Sequence, residues 1–230
     1  MLDELNKKEL LRKNLDKVIW NIEQARVEVS EHHIVKLVAV AKYSDEESIS
    51  MLYQLGQRAF GENQVQQLST RVESLEELPL EWHMLGTLQS NKINKLIELR
   101  PALFHSLDSL KLAKALNSRL ADRDQKMNAL LQINSAEEES KSGVQSDEAI
   151  DIYQQIIEEC PNINLKGVMS IGAHTEDSIM IQNSFEKTYK IYESLQKDGA
   201  TVCSMGMSGD YELAIKCGSN LVRIGSKIFN

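Results

Sequence analysis

Eight short apolar segments recur along the chain, and stretches with helical periodicity lie between most of them. This alternation predicts parallel strands joined by crossover helices. Eight units in 230 residues leave about 29 residues per unit, close to the length of a βαβ motif. The pattern therefore predicts an α/β fold in which the strands close into a single (β/α)8 TIM barrel. The predicted strand cores are Leu37–Ala41, Arg58–Phe60, Trp82–Leu85, Leu103–Ser106, Ala129–Ile133, Leu165–Ser170, Thr201–Met205 and Asn220–Ile224.

An additional helix is predicted before the first strand, within residues 1–31. Its apolar residues recur every three or four positions and form one stripe, which indicates a helix with one buried face. The stripe consists of Leu11, Leu15, Val18, Ile22, Ala25 and Val29. We expect this helix to pack on the barrel of its own chain, within one domain that spans residues 1–230.

Composition narrows the classes of partner. The net charge of −8 argues against nucleic acid, whose binding requires clustered lysine and arginine. The longest apolar runs have about five residues, against the roughly 18 needed to span a bilayer. The N-terminus lacks the apolar core of a signal peptide. Three cysteines without C-x-x-C spacing indicate reduced thiols, so the sequence predicts a cytoplasmic protein without a metal site.

Lys42 is the first candidate for chemistry, because it ends an otherwise apolar strand. The active sites of (β/α)8 barrels lie at the C-terminal ends of the strands. Ser44 and Glu47 have the spacing of a capping box, which predicts a helix start just beyond the lysine. A neutral amine in the barrel mouth is a nucleophile that forms Schiff bases with aldehydes. The alternative is a lysine whose ammonium group extends into solvent.

The loops after the last two strands have the composition of an anion site. Gly206 and Ser208 follow the seventh strand, and Gly225 and Ser226 follow the eighth. Free backbone N–H groups and nearby hydroxyls bind anions, and (β/α)8 barrels often bind phosphate at this location. Arg223, within the eighth strand, predicts an anionic or aromatic ligand beside these loops, or alternatively a structural salt bridge.

A Schiff-base lysine, a phosphate cradle and an arginine together indicate pyridoxal 5′-phosphate (PLP) as the ligand. PLP sites place an aspartate or an arginine at the pyridine nitrogen. An arginine only donates hydrogen bonds, so it leaves that nitrogen unprotonated and the ring a weak electron sink. This chemistry suits modest proton abstraction, or binding without catalysis.

In these residues and the motifs around them, the chain resembles the YggS/PROSC family of PLP-binding proteins, also called PLP homeostasis proteins. The resemblance covers nearly the whole chain and implies a barrel like the N-terminal domain of alanine racemase. Ala41 departs from the family pattern, in which Ser or Thr is common before the lysine. The motifs are Val38–Lys42, Phe60–Asn63, Glu81–His83, Gly86–Lys92, Ser140–Gly143, Gly206–Ser208 with Asp210 and Glu212, and Val222–Gly225 with Ile228 and Phe229.

The resemblance also implies roles for individual residues. Lys42 would form the Schiff base with PLP, and Arg223 would face the pyridine nitrogen. The phosphate would be bound by Ser208, Gly225 and Ser226. Asn63 and His83 would line the pocket, with Met207 near the cofactor and Lys141 on a top-face loop as a second point of PLP contact.

The leading interpretation is a PLP carrier or homeostasis protein without robust catalysis, because only Lys42 can be named where two acid–base groups are needed. Alanine racemases take a second group from a further domain, which we do not expect here. The alternative is a low-activity PLP-dependent amino-acid racemase, and a third is an aldolase-like barrel without cofactor. Apo PLP enzymes are the expected recipients of the cofactor, and the chain is expected to be a monomer.

Overall fold

The computed structural model describes residues 2–138 and 141–230, with side chains from residue 4 onward. The strands are β1 (Lys36–Val40), β2 (Ala59–Glu62), β3 (Glu81–Met84), β4 (Leu103–Leu107), β5 (Met127–Asn134), β6 (Val144–Gln145), β7 (Ile163–Ser170), β8 (Val202–Ser204) and β9 (Leu221–Ile224). The helices are α1 (Leu2–Val29), α2 (Glu46–Gln54), α3 (Val65–Ser74), α4 (Ile93–Leu99), α5 (Leu110–Ala121), α6 (Ala149–Glu159), α7 (Ser178–Leu195), α8 (Tyr211–Lys216) and α9 (Ser226–Phe229).

Eight parallel strands close into a barrel, as the alternation of apolar segments predicted. Going round the ring, the order is β1, β2, β3, β4, β5, β7, β8 and β9, and β9 pairs with β1 to close it. Each of the eight predicted strand cores overlaps one of these strands. The two-residue strand β6, which was not predicted, pairs with the C-terminal end of β5 outside the ring.

The barrel interior changes from apolar to polar along the strands. Six buried side chains form an inner cluster separate from the main core between strands and helices: Val38, Ala59, Leu103, Leu130, Met169 and Leu221. Side chains two positions apart lie on the same face of a strand. Two positions beyond Leu103, Leu130 and Leu221 stand His105, Gln132 and Arg223, all buried. On these three strands the interior polar groups therefore lie toward the C-terminal ends.

Helix α1 packs on its own barrel, and its apolar stripe is confirmed from Leu11 to Ala25. These stripe residues are at most 4% exposed, whereas Val29, the last helical residue, is 42% exposed. The helix lies against α2, α8 and α9. Asn14 Nδ2 donates to the carbonyl oxygens of Ile228 (3.1 Å) and Asn230 (2.9 Å). The additional helix thus holds the C-terminal segment of the chain.

The start of α2 differs from the predicted capping box by one residue. Asp45 is the N-cap, and its carboxylate accepts from the backbone N–H of Ser48 at 2.8 Å. The hydroxyl of Ser44 instead donates to the carbonyl of Ala41 at 2.9 Å. Glu47 pairs with Lys7 of α1 rather than with the cap. The serine prediction was wrong because aspartate caps equally well and the turn after β1 engages Ser44.

Candidate functional site

A cavity of about 810 Å³ opens at the C-terminal ends of the barrel strands. This volume lies within the range of about 300–1,000 Å³ that is typical of small-molecule sites. Three inward-facing side chains, Ser106, Gln132 and Met169, contribute to its lining. The predicted site residues that line it are Lys42, Asn63, Met207, Ser208, Arg223, Gly225 and Ser226.

Lys42 reaches the cavity because the backbone stays extended for one residue after β1 and then turns. The N–H of Ala41 donates to the carbonyl of Gly61 at 2.9 Å, and the N–H of Ser44 donates back to Ala41 at 2.9 Å. The Lys42 side chain is partly exposed, and its Nζ lies 4.9 Å from the centre of the Tyr43 ring. Within residues 2–138 and 141–230, this amine has no hydrogen-bond acceptor or carboxylate partner.

The loops after β8 and β9 are joined at the cavity wall. Ser208 Oγ accepts from the N–H of Gly225 at 3.2 Å. Asp210 accepts from the N–H of Met207 at 2.6 Å and so fixes the first loop. The N–H groups of Ser226 and Lys227, at the start of α9, have no acceptor in the described part of the chain, as expected for the first turn of a helix. Together these groups can bind an anion.

Two glycines allow the cavity walls to approach each other. A side chain at Gly86 would place its Cβ 2.0 Å from the carbonyl oxygen of Asn63. Gly206 has a φ of +93°, and its Cβ would lie 2.7 Å from that of Ala214. Because only glycine adopts such a φ without strain, it permits the turn that brings Ser208 to the cavity.

Arg223 lies at the cavity with 5% of its surface exposed. Its NH1 donates to Ser204 Oγ at 2.5 Å and its NH2 donates to the carbonyl of Ser170 at 2.9 Å. Burial lowers the pKa of this guanidinium to about 10, so the group remains protonated at neutral pH. No carboxylate of the described residues forms an ion pair with it, which argues against the structural salt bridge.

His83 does not line the cavity, which corrects the sequence expectation. Its ring is 1% exposed, with Nδ1 at 2.8 Å from His105 Nε2 and Nε2 at 3.0 Å from Glu81 Oε1. His83 is paired in register with Leu103 of the inner apolar cluster, so its side chain points into the barrel below the cavity. Strand alternation alone does not tell how deep an inward residue lies.

Lys141 lies beside a smaller cavity of about 220 Å³ that shares Thr87, Gln132 and Ile171 with the large one. Its Nζ donates to Glu138 Oε1 and to the carbonyl of Gly172, both at 2.8 Å. Ser140, in the same sequence motif, lies outside the described residues. Lys141 is therefore near the site but already engaged by an acidic neighbour.

Several cavity residues were not identified from the sequence. Ser106 and Gln132 stand on predicted strands, where their polar character among apolar neighbours was the available signal. Lys7 comes from the distant helix α1 and reaches the rim through ion pairs with Asp45 (2.8 Å) and Glu47 (2.5 Å). No sequence signal pointed to that contact.

The described residues contain neither a metal-binding cluster nor a membrane-spanning helix. No group of three or more His, Cys, Asp or Glu residues there is arranged to hold a metal ion. No helix in this part of the chain has the length and apolar character needed to cross a membrane. The three cysteines, Cys160, Cys203 and Cys217, are free.

Comparison with known proteins agrees with this geometry. The profile described as "Alanine racemase, N-terminal domain" matches residues 14–230. The "Pyridoxal phosphate homeostasis protein" of Helicobacter pylori is 56% identical over 218 residues, covering 95% of this chain and 97% of that protein. The human protein of the same name is 37% identical over 208 residues, covering 84% and 75%.

Solved structures give the same result. PipY from Synechococcus elongatus, solved with PLP bound, has a TM-score of 0.81 at 28% identity and covers 96% of this chain and 100% of that one. An alanine racemase of Clostridium difficile has a TM-score of 0.75 at 18% identity, covering 96% and 56%, which shows the fold alone. The fold and site thus define a barrel of the alanine racemase type. The chain belongs to the alanine racemase N-terminal domain family and, within it, to the pyridoxal phosphate homeostasis proteins.

Proposed function

We propose that this chain binds PLP in the large cavity, holds it as a Schiff base on Lys42, and acts in intracellular PLP homeostasis without robust catalysis. The observation that carries the proposal is the convergence of three groups on one cavity. An amine without an acidic partner, a buried guanidinium and a set of free N–H and hydroxyl groups all line it. The names of the relatives and the PLP-bound PipY structure support the choice of ligand.

The residues present fit the functional groups of PLP. When bound, PLP supplies an aldehyde that condenses with amines, with loss of water. Lys42 offers the amine, and the hydroxyls of Ser208 and Ser226 with the loop of Gly225 offer donors for the phosphate. Arg223 offers its remaining N–H donors to the ring nitrogen. Asn63 and Met207 would contact the cofactor from the cavity wall.

The character of Arg223 supports binding over catalysis. A guanidinium with a pKa of about 10 donates hydrogen bonds and accepts none, so it does not protonate the ring nitrogen. PLP enzymes that need a strong electron sink place an aspartate there. The proposed contact would therefore leave the bound cofactor weakly activated.

The first experiment is an absorption spectrum with added PLP, followed by borohydride reduction and peptide mapping. We expect a yellow protein with the pyridoxyl group on Lys42. Lys42→Ala should lose the reducible adduct and keep the fold, because a partly exposed side chain is removed. Lys114→Ala, which removes a surface lysine paired with Glu159 on the outer helices, is the matched control. An adduct that persists on Lys141 in Lys42→Ala would refute the attachment site.

Amino-acid racemase activity is the alternative function, and Tyr43 is the residue that would favour it. Its ring lies beside the Lys42 amine and lines the cavity, so it is a second candidate acid–base group. Saturable racemisation of one amino acid, lost in both Lys42→Ala and Tyr43→Phe, would favour this function. Activity without saturation, or activity retained in Tyr43→Phe, would favour the carrier function.

Three further proposals follow from the carrier function. Apo PLP enzymes would be the recipients, and transfer to one of them would appear as gain of its activity. The three free cysteines support a cytoplasmic location, where thiols stay reduced. The third proposal is that the chain acts as a monomer.

A further inference from the structure

A row of polar side chains crosses the barrel interior from one end to the other. It begins at the N-terminal rim, where Lys36 pairs with Glu81. Glu81 Oε1 lies 3.0 Å from His83 Nε2, and His83 Nδ1 lies 2.8 Å from His105 Nε2. His105 Nδ1 lies 3.3 Å from Ser204 Oγ, which accepts from Arg223 at the cavity. From Glu81 to Arg223, five residues on four strands thus connect the N-terminal end of the barrel to the proposed ligand site.

The arginine determines the direction of every hydrogen bond in this row. A guanidinium can only donate, so Ser204 Oγ accepts from Arg223 and its own proton must go to another acceptor. His105 Nδ1 is the acceptor within reach among the described side chains. Neutral His105 then carries its proton on Nε2 and donates to His83 Nδ1. His83 in turn carries its proton on Nε2 and donates to the Glu81 carboxylate.

The charges around the row favour the neutral forms of both His83 and His105. Burial lowers the pKa of His83 and lowers that of His105 still further, and the positive charges of Arg223 and Lys36 also oppose protonation of His105. The hydrogen bond from His83 lowers the pKa of Glu81 to about 2, so this carboxylate is ionised and accepts. The other ionisable groups that act on Arg223 are Asp210 and Cys203.

We propose that His83, His105 and Ser204 are positioning residues, forming a one-way hydrogen-bond chain that fixes the Arg223 guanidinium at the cavity. Ser204 and the carbonyl of Ser170 engage NH1 and NH2, so the remaining donors are held toward the ligand. The negative end of the chain, Glu81, lies far from the cavity. The row stabilises the Arg223 guanidinium without placing a carboxylate beside it. A carboxylate there would compete with the ligand for the hydrogen bonds of the guanidinium.

The directions of the hydrogen bonds can be tested without a ligand. The predicted effect of the row on PLP affinity rests on the proposed function. Long-range ¹H–¹⁵N correlation spectra of the five histidines report which ring nitrogen carries the proton. We expect both His83 and His105 as the Nε2–H tautomer at pH 7, assigned with single His→Gln variants. Ser204→Ala removes the donor to His105 and should change the tautomer of that ring. A proton on Nδ1 of His105 in the unsubstituted protein would overturn the proposal.

The effect on the site is tested by PLP affinity. His105→Leu removes the acceptor of the Ser204 hydroxyl and the donor to His83 Nδ1, while Ser204 still accepts from Arg223 and His83 still lies beside Glu81. Because the guanidinium is then held less firmly, we expect Kd for PLP to rise about tenfold, which corresponds to about 1.4 kcal/mol. His105→Gln keeps one acceptor and one donor and should restore most of the affinity. His32→Leu, in an exposed turn, is the matched control.

The outcomes separate the two proposals. His105→Leu that binds PLP as tightly as the unsubstituted protein would refute positioning of Arg223. If His105→Leu does not fold, His105→Gln and Ser204→Ala give the same comparison, with Ser204→Ala expected to weaken binding. If the unsubstituted protein does not bind PLP, the proposed function fails, while the tautomers still decide whether the one-way chain exists.

Discussion

Lys42 and Arg223 are two cations that line one cavity in a chain whose net charge is −8. Neither forms an ion pair with a carboxylate of the described residues, although acidic residues outnumber basic ones in the sequence. A third cation on the rim, Lys7, is neutralised by Asp45 and Glu47. Two side chains without a carboxylate partner in the described part of the chain therefore face the cavity, where an anionic ligand can compensate their charge.

Replacement of Arg223 by glutamine should weaken PLP binding. The variant loses the charge-assisted donor to the ligand, and bonds of this kind contribute about 1.5–3 kcal/mol, or about 10- to 100-fold in Kd. The change in Kd is measured by adding PLP stepwise and following the absorption spectrum. The matched control is Arg58→Gln, because Arg58 is exposed and stacks on Tyr53 outside the cavity. An unchanged affinity would mean that Arg223 is purely structural.

The buried histidine pair should make stability depend on pH. Folding lowers the pKa of His83 and His105, so below the ordinary value of about 6.5 the unfolded chain binds more protons and stability falls as the pH drops. Each imidazole contributes a slope of up to about 1.4 kcal/mol per pH unit. Urea unfolding between pH 7.5 and 5 measures it. His105→Gln should show a shallower fall than the unsubstituted protein, whereas His32→Gln should not.

Among the elements, α1 does more than cover the barrel. Its buried stripe packs against α8 and α9, which follow the two loops of the proposed phosphate site. Asn14 binds the C-terminal carbonyls, and Asn21 donates to the hydroxyl of Tyr211 at 3.0 Å. The helix therefore stabilises the fold and also holds the segments that carry Ser208 and Ser226.

Substitution of Leu15 by alanine tests the packing of α1. Leu15 is 3% exposed, and truncation of a buried leucine costs about 2–5 kcal/mol because it leaves a cavity. Leu10→Ala on the same helix is the control, since Leu10 is 50% exposed and its loss should cost little. Thermal or urea unfolding compares the two. Equal effects would mean that the stripe does not stabilise the fold.

Substitution of Asn14 by alanine tests the link from α1 to the site. The variant frees the carbonyls of Ile228 and Asn230, so we expect α9 to loosen and PLP affinity to fall severalfold while the protein stays folded. Lys13→Ala, on the exposed side of the same turn, should leave affinity unchanged. Equal affinity in both variants would show that α9 keeps its position without the hydrogen bonds of Asn14.

The whole molecule brings together loops that are distant in sequence. Lys42 follows β1, Asn63 follows β2, and Ser208 and Ser226 follow β8 and β9. Because β9 pairs with β1, the loops that carry Lys42 and Ser226 follow neighbouring strands. In this pairing Val38 stands opposite Arg223. The proposed site is complete only when the ring is closed, so partial unfolding of either end should release the ligand.

A monomer is the assembly that we propose for this chain. Light scattering after size-exclusion chromatography should give a mass near 26.0 kDa with and without PLP. A stable dimer that dissociates when PLP is removed would contradict this expectation and would place part of the site at an interface.

The sequence by itself determined the barrel and the extra helix, and it pointed to seven of the residues that line the cavity. Strand cores buried on both faces are apolar throughout, and a reactive lysine or a Gly-Ser loop stands out directly after them. Only the tertiary structure decided the depth of His83, the contact of Lys7 and the meeting of His83, His105, Ser204 and Arg223. Those contacts depend on the tilt and stagger of several strands at once, which local periodicity does not encode.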